Sequence, residues 1–196
     1  MDIQIENYND IKFKPETNDE LKIAVNLWCE SKNEALIKYG HISNWDTSLI
    51  NDMSDLFRDK KDFNDNINNW NVFNVTDMFG MFNKASSFNK PLDLWNVSSV
   101  ICMAYMFSEA SSFNQPLDLW NVSNVTDMYG MFSEASVFNQ PLDSWNVASV
   151  TDMHGMFEHA CTFNQPLDTW DVSSVTDMGP MFSYASSFNQ PLNSWD

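Results

Sequence analysis

Basic side chains are scarce in this sequence. Ten Lys and Arg stand against twenty-seven Asp and Glu, and the resulting formal charge of -17 repels phosphate backbones and anionic lipid. That balance argues against nucleic acid as a partner and reads as a solvated face that keeps the chain in solution. Cysteine is rare as well. Cys29, Cys102 and Cys161 are odd in number and form no C-x-x-C pair, so no disulfide framework is expected and the three read as reduced thiols. Five glycines are too few for the Gly-rich calcium loops of ion-binding repeats. No run of about 18 apolar residues occurs, and the start Met1-Asp2-Ile3-Gln4-Ile5-Glu6 has neither a basic nor an apolar leader segment. The expectation is a chain without membrane insertion, intracellular or virion-associated. Catalytic signatures such as G-x-S-x-G, a Walker loop, G-x-G-x-x-G or H-E-x-x-H are missing too. His154 and His159 share one stretch, His41 lies alone, and all three read as surface positions; no enzyme, cofactor or metal site is expected.

What is present is a repeat. Trp45, Trp70, Trp95, Trp120, Trp145, Trp170 and Trp195 recur every 25 residues with no slip in register. Between them the pattern runs W-N/D-V-S-S/N-V-T-D-M-x-x-M-F-x-x-A-S-S-F-N-Q/K-P-L-D/N-x. One copy is too small to close a core, so its apolar side chains must be covered by the copies on either side. The reading is an α/β solenoid, a leucine-rich-repeat-like stack of six coils at 45–69, 70–94, 95–119, 120–144, 145–169 and 170–194, with a stub at 195–196. Residues 1–44 are expected to form a helical N-terminal cap.

Within the cap, residues 1–13 alternate loosely and predict a short strand. One helix is expected to enter at Asn18 as N-cap, with Leu21, Ala24, Val25 and Trp28 on its apolar face. A second begins at Ser31, which has capping-box spacing to Glu34, and stops at Gly40. In each coil the L-x-x-W-x-V segment, for example Leu117, Trp120 and Val122, reads as a strand of a parallel sheet. The opposite wall reads as a short helix: Thr126 as N-cap, then Met128, Met131, Phe132 and Ala135 at helical spacing. Gly179-Pro180 in the last copy predicts a distorted helix.

The repeat V-T-D-M-x-x-M-F-x-x-A-x-x-F-N-Q-P-L-x-x-W-N/D-V resembles that of the BspA-like surface-protein family, which has bacterial, protist and large-DNA-virus members. The match runs from Trp45 to Asp196. The resemblance implies a leucine-rich-repeat-like solenoid with a binding or adhesive role and carries over no catalytic residue.

Recurring polar residues have structural readings. Asp52, Asp77, Asp127, Asp152 and Asp177 read as helix-dipole partners, and Asp93, Asp118, Asp143 and Asp168 as turn residues, with calcium between coils as the alternative. Asn64, Asn89, Asn114, Asn139, Asn164 and Asn189 read as buried amides that bond the corner backbone. The phased Trp, Met and Phe read as core. For function there remain the outward, variable positions. Phe73, Leu94 and Leu119 form a candidate protein-binding patch, and Phe79, Tyr105 and Tyr129 a second, with Tyr105 one place out of phase. Phe182, Phe188, Leu192 and Trp195 edge the last coil and are candidates for homo-oligomer assembly. The expected function is a non-enzymatic protein-interaction or structural module with an unidentified protein partner; the alternatives are self-assembly through the C-terminal coil, or a calcium-dependent adhesin.

Overall fold

The computed structural model describes residues 12–195. The strand expected over residues 1–13 therefore lies, as far as residue 11, outside the described residues. At Phe13 the carbonyl accepts the Asp46 N–H at 2.9 Å, and the ring sits on Tyr39 and Trp45. Helix α1 spans Asn18–Glu30 and α2 spans Lys32–Tyr39. Thr17, not Asn18, is the N-cap of α1: its hydroxyl accepts the Glu20 N–H, while the Glu20 carboxylate reaches back to the Glu16 N–H. Asn18 instead bonds Asn51 of the first repeat through its amide. Ser31 caps α2 without a side-chain bond, and Gly40, with φ of 70°, ends it.

Leu21, Ala24, Val25 and Trp28 of α1 are buried, and the Trp28 ring meets Trp45 edge-on at 5.9 Å. The Trp28 indole N–H and the Lys32 ammonium both donate to Asp65, at 2.8 and 2.7 Å. Burial opposes charge on Asp65, but these two bonds hold its carboxyl below the usual range. The helices thus seat on the first repeat through an aromatic contact closed by an ion pair.

Beyond them the α/β solenoid with a sheet wall and a helix wall is not formed. Among the described residues, helix ends at Asn44 and no strand or sheet follows. Parallel pairing shrinks to single bridges, Asp52 to Asp77, Asp77 to Cys102, Cys102 to Asp127, Asp127 to Asp152 and Asp152 to Asp177. The leucine-rich-repeat description falls with the sheet.

Each 25-residue unit is instead a succession of β-turns. In the fourth unit Trp120 N–H bonds Leu117 O and Val125 N–H bonds Val122 O, and both closures fold up the expected strand. Further turns close at Met128–Met131, Gly130–Ser133, Phe132–Ala135 and Ala135–Phe138. A helix over this stretch would need every φ near about -63°, yet Gly130 and Glu134 stand at +56° and +58°. Met128, Met131, Phe132 and Ala135 keep their common face because turns closing every two to three residues also return side chains to one side. Thr126 caps nothing: its hydroxyl donates to Ile101 O, and Asp127 Oδ1 accepts the Tyr129 N–H.

The left-handed residues have a purpose in the bonding. Turns use every second N–H and leave the alternate ones pointing at the next unit. Met128, Gly130, Phe132 and Glu134 N–H donate to Asp152, His154, Met156 and Glu158 O at 2.7–3.0 Å, an offset of 24 residues repeated along the chain. Backbone groups are thereby satisfied without helix or sheet. Asp55, Gly80, Tyr105, Gly130 and Gly155 occupy the first left-handed position, but the sixth unit has Pro180 there, whose ring forbids positive φ. Accordingly neither the Met178–Met181 turn bond nor the Gly155 N–H bond to residue 179 is formed among the described residues. The distortion expected at Gly179-Pro180 is present, in a turn and not in a helix.

Side chains fill the interior in columns. Phe57, Phe82, Phe107, Phe132, Phe157 and Phe182 stack at 5.4–5.7 Å, and Phe63 to Phe188 form a parallel column. The seven phased tryptophans form a third column, and each indole N–H reaches back to a carbonyl of the preceding segment, as Trp145 does to Leu117 O at 2.9 Å. The asparagine column bonds as expected but is half-buried to exposed: each Oδ1 accepts the backbone N–H of the next asparagine, and Gln140 Nε2 adds a bond to Asn114 Oδ1.

Substitutions in two of the columns separate these contributions. Trp145→Phe removes one of the two donors to Leu117 O, leaving the Trp120 N–H, and shrinks a buried ring; it should lower unfolding free energy by about 1–3 kcal/mol in a denaturant titration, while Trp195→Phe, only half-buried, should cost less than half as much. Asn114→Ala removes the acceptor for Asn139 N–H and should cost about 1–3 kcal/mol, whereas Asn114→Asp keeps the oxygen and should recover most of that loss. Equal losses for the two Asn114 variants would show that the amide, not its acceptor oxygen, matters.

Candidate protein-binding surface

Leu117–Trp120 and its equivalents are tight turns whose two central residues face solvent. In successive units these tips read Asn68-Asn69, Asp93-Leu94, Asp118-Leu119, Asp143-Ser144 and Asp168-Thr169. Ser144 and Thr169 hydroxyls each donate at 2.8 Å to the aspartate carbonyl of the preceding tip, and Ser194 repeats the bond to Asp168. Leu94 and Leu119 forgo that bond and stand 65% and 75% exposed. An apolar side chain that loses a hydrogen bond and stays in water contributes nothing to the fold. The outward placement of the pair was legible from the repeat, although the tip is a turn and not a strand.

Phe73, 52% exposed, belongs to a different column, the tip of the Val72–Val75 turn. Leu49, half-exposed, sits on the matching Thr47–Ile50 turn of the first unit, one place on from Ser48, the equivalent of Phe73, so Phe73 shares its turn with neither Leu94 nor Leu119. Sequence reasoning missed Leu49 because the first copy diverges most. The signal was there: Ser48-Leu49 takes the place that Phe73-Asn74 and Ser98-Ser99 take later.

The second candidate set does come together. Phe79 meets Tyr105 edge-on at 5.8 Å, Tyr105 lies 4.8 Å from Tyr129, and Tyr129 stacks flat on His154 at 4.8 Å. The phase anomaly is explained by a substitution pair. The third unit has Ala104 where its neighbours have Phe79 and Tyr129, and Tyr105 swings across from the left-handed position, φ of 57°, to fill the rung. Its ring covers Gly130 so closely that a Cβ there would sit 2.8 Å from Tyr105 Cε1. His154, read from sequence as a plain surface residue, ends the ladder: it covers Gly179 and approaches Asp177 Oδ1 at 3.3 Å.

Electrostatics along this ladder follow from the aspartates beneath it. Each of Asp52, Asp77, Asp127, Asp152 and Asp177 accepts the N–H two residues on, so these side chains shape their own turns and serve no helix dipole. Asp127, half-buried with Asp152 next in the column and Asp77 beyond Cys102, has its carboxyl raised, first by burial. Burial, then the adjacent Tyr129 phenol and the nearby carboxylates, pushes the Tyr105 phenol up to about 12. Asp177 is held low by the Gly179 N–H and then by His154. Among the described residues no three His, Cys, Asp or Glu side chains converge as a metal cage would require.

Phe182, Phe188, Leu192 and Trp195 are half-buried, and the three aromatic ones continue the columns: Phe182 stacks on Phe157, Phe188 on Phe163 and Trp195 on Trp170. No helix among the described residues is long and apolar enough to cross a membrane. Cys29, Cys102 and Cys161 are free thiols, and burial pushes Cys29 and Cys102 up to about 11.

No curated protein and no solved structure matches the chain. A family model does, in two overlapping stretches, residues 29–137 and 115–196, which together take in every repeat and the end of α1. The stacked 25-residue unit is thus a family pattern, and the chain belongs to the DUF285 family, described as Mycoplasma protein of unknown function.

Proposed function

We propose that the chain is a non-enzymatic protein-interaction module, in which a hydrogen-bonded stack of turns holds a row of variable side chains at fixed spacing. The observation that carries this reading is the Leu94–Leu119 pair, exposed at a position where the following units place hydroxyls that bond the turn before them. A preorganised surface loses little conformational entropy on binding, and paired aliphatic anchors are the side chains that gain most from losing water. The resemblance of the repeat to BspA-like proteins supports a binding role of this kind.

The test compares the wild-type chain with Leu94→Ser/Leu119→Ser. Both positions are solvent-facing, and serine can make the bond that Ser144 makes, so thermal unfolding should stay within a few degrees or rise slightly. Proteins that crosslink to the wild type should be lost from the double variant, and light scattering across a hundredfold concentration range should show whether a second copy of the chain is among them. Retention of every crosslinked species by a folded double variant would overturn the assignment.

A further inference from the structure

The turn tips that carry Leu94 and Leu119 also carry a row of charge. Asp93, Asp118, Asp143 and Asp168 hold the first central position of four consecutive tips, all exposed. Some carboxylates elsewhere find cations: Asp46 pairs with Lys14, Asp65 with Lys32, Asp55 and Asp59 with Arg58, Glu109 with Lys84 and Asp177 with His154. None of the four tip aspartates has such a partner among the described residues. Asp93 accepts only the Asn68 amide, and Asp168 accepts the Ser194 N–H and hydroxyl. Units follow one another at about 5 Å, so neighbouring like charges repel by about 1 kcal/mol each even in water. A column that keeps this repulsion beside two exposed leucines is complementary to something that is cationic and apolar at once.

From this we infer that the occupant of the Leu94–Leu119 edge is a basic amphipathic polypeptide segment. Its lysine or arginine side chains meet Asp93, Asp118, Asp143 and Asp168, and its apolar side chains cover Leu94 and Leu119. The inference rests on the interaction reading above and adds the chemistry of the partner. The leucines supply most of the affinity, and the rim aspartates set salt dependence and selection against acidic partners. The chain's own charge of -17 acts in the same direction at long range.

The experiment uses the full chain and a fluorescent Leu/Lys amphipathic peptide, with a Leu/Glu peptide of equal length, polylysine and spermine for comparison. Anisotropy titrations should show binding of the Leu/Lys peptide that weakens as salt rises. Asp93→Asn/Asp118→Asn should weaken it about fivefold and Leu94→Ser/Leu119→Ser about tenfold. Asp19→Asn/Glu34→Gln, which removes the same charge from the N-terminal helices, should change it less than twofold. Equal weakening by the helix variant, or polylysine or spermine binding as tightly as the peptide and ignoring the leucine variant, would reduce the effect to net charge and overturn the inference. If no peptide arm responds while Leu94→Ser/Leu119→Ser still loses its crosslinked proteins, the partner is not basic and the interaction reading stands. If those proteins are retained too, both fail.

Discussion

The structure depends on what happens to alternate backbone N–H groups. In a helix every N–H turns inward to the chain's own carbonyls, and in a sheet every second one turns to each side. Here, from Met128 to Ala135 and at the equivalent positions, turns consume every second N–H and the alternate ones point into the unit that follows, while the Thr126 and Asn139 N–H groups reach back to the unit before. A residue with positive φ at the centre of the turn sets this direction, and it recurs twice in most units. Asp, Lys, Glu, His and Tyr all accept the left-handed conformation here, although it costs an L-residue about 1–2 kcal/mol. The inter-unit bonds and the core columns offset that strain. Where proline removes the option at Pro180, one bond between the fifth and sixth units and one turn bond within the sixth are not formed among the described residues, while the Met153, Phe157 and His159 N–H bonds to the sixth unit persist.

Aromatic packing follows from the same constraint. Units bonded at a fixed offset place identical side chains over one another, so Phe107, Phe132 and Phe157 stack within 7° of parallel. Column formation favours planar side chains, which tile at short spacing. The tryptophan column combines two stabilising effects, because each buried ring is also a hydrogen-bond donor to the previous unit. The surface ladder from Phe79 to His154 obeys this rule outside the core. A missing rung at Ala104 is filled by Tyr105 from the next position, and glycine at Gly130 makes the room.

Much of this was legible in the sequence. The 25-residue beat, the buried Trp, Met and Phe, the asparagine column, the two helices before Trp45 and the exposure of Leu94 and Leu119 all follow from pattern. The secondary structure of the units did not. Met128, Met131, Phe132 and Ala135 fit a helix by spacing, and Leu117, Trp120 and Val122 fit a strand, because side-chain periodicity reports which face is buried and not the φ of the residues between. A better signal was available. Gly80, Gly130 and Gly155 occupy one repeat position in a chain with five glycines, and glycine held at a fixed place marks a left-handed turn. The non-glycine partner position, Glu134 and its equivalents, carries no such mark, since only the bonds to the next unit make its conformation worthwhile.

Fixed stacking also explains why surface chemistry is written in columns. A side chain at a turn tip has the same position one unit earlier and later as its nearest long-range neighbours, so one substitution alters a spot and two consecutive ones alter a strip. Serine or threonine at the tip closes the strip by bonding the preceding carbonyl, as Ser144 and Thr169 do. Leucine opens it, leaving a methyl surface beside an aspartate. The surface strip can therefore change at the two solvent-facing tip positions while the flanking Leu117 and Trp120 stay buried in their columns. Leu94 and Leu119 are two such changes in adjacent units, and their placement next to Asp93 and Asp118 makes the opened strip both apolar and anionic.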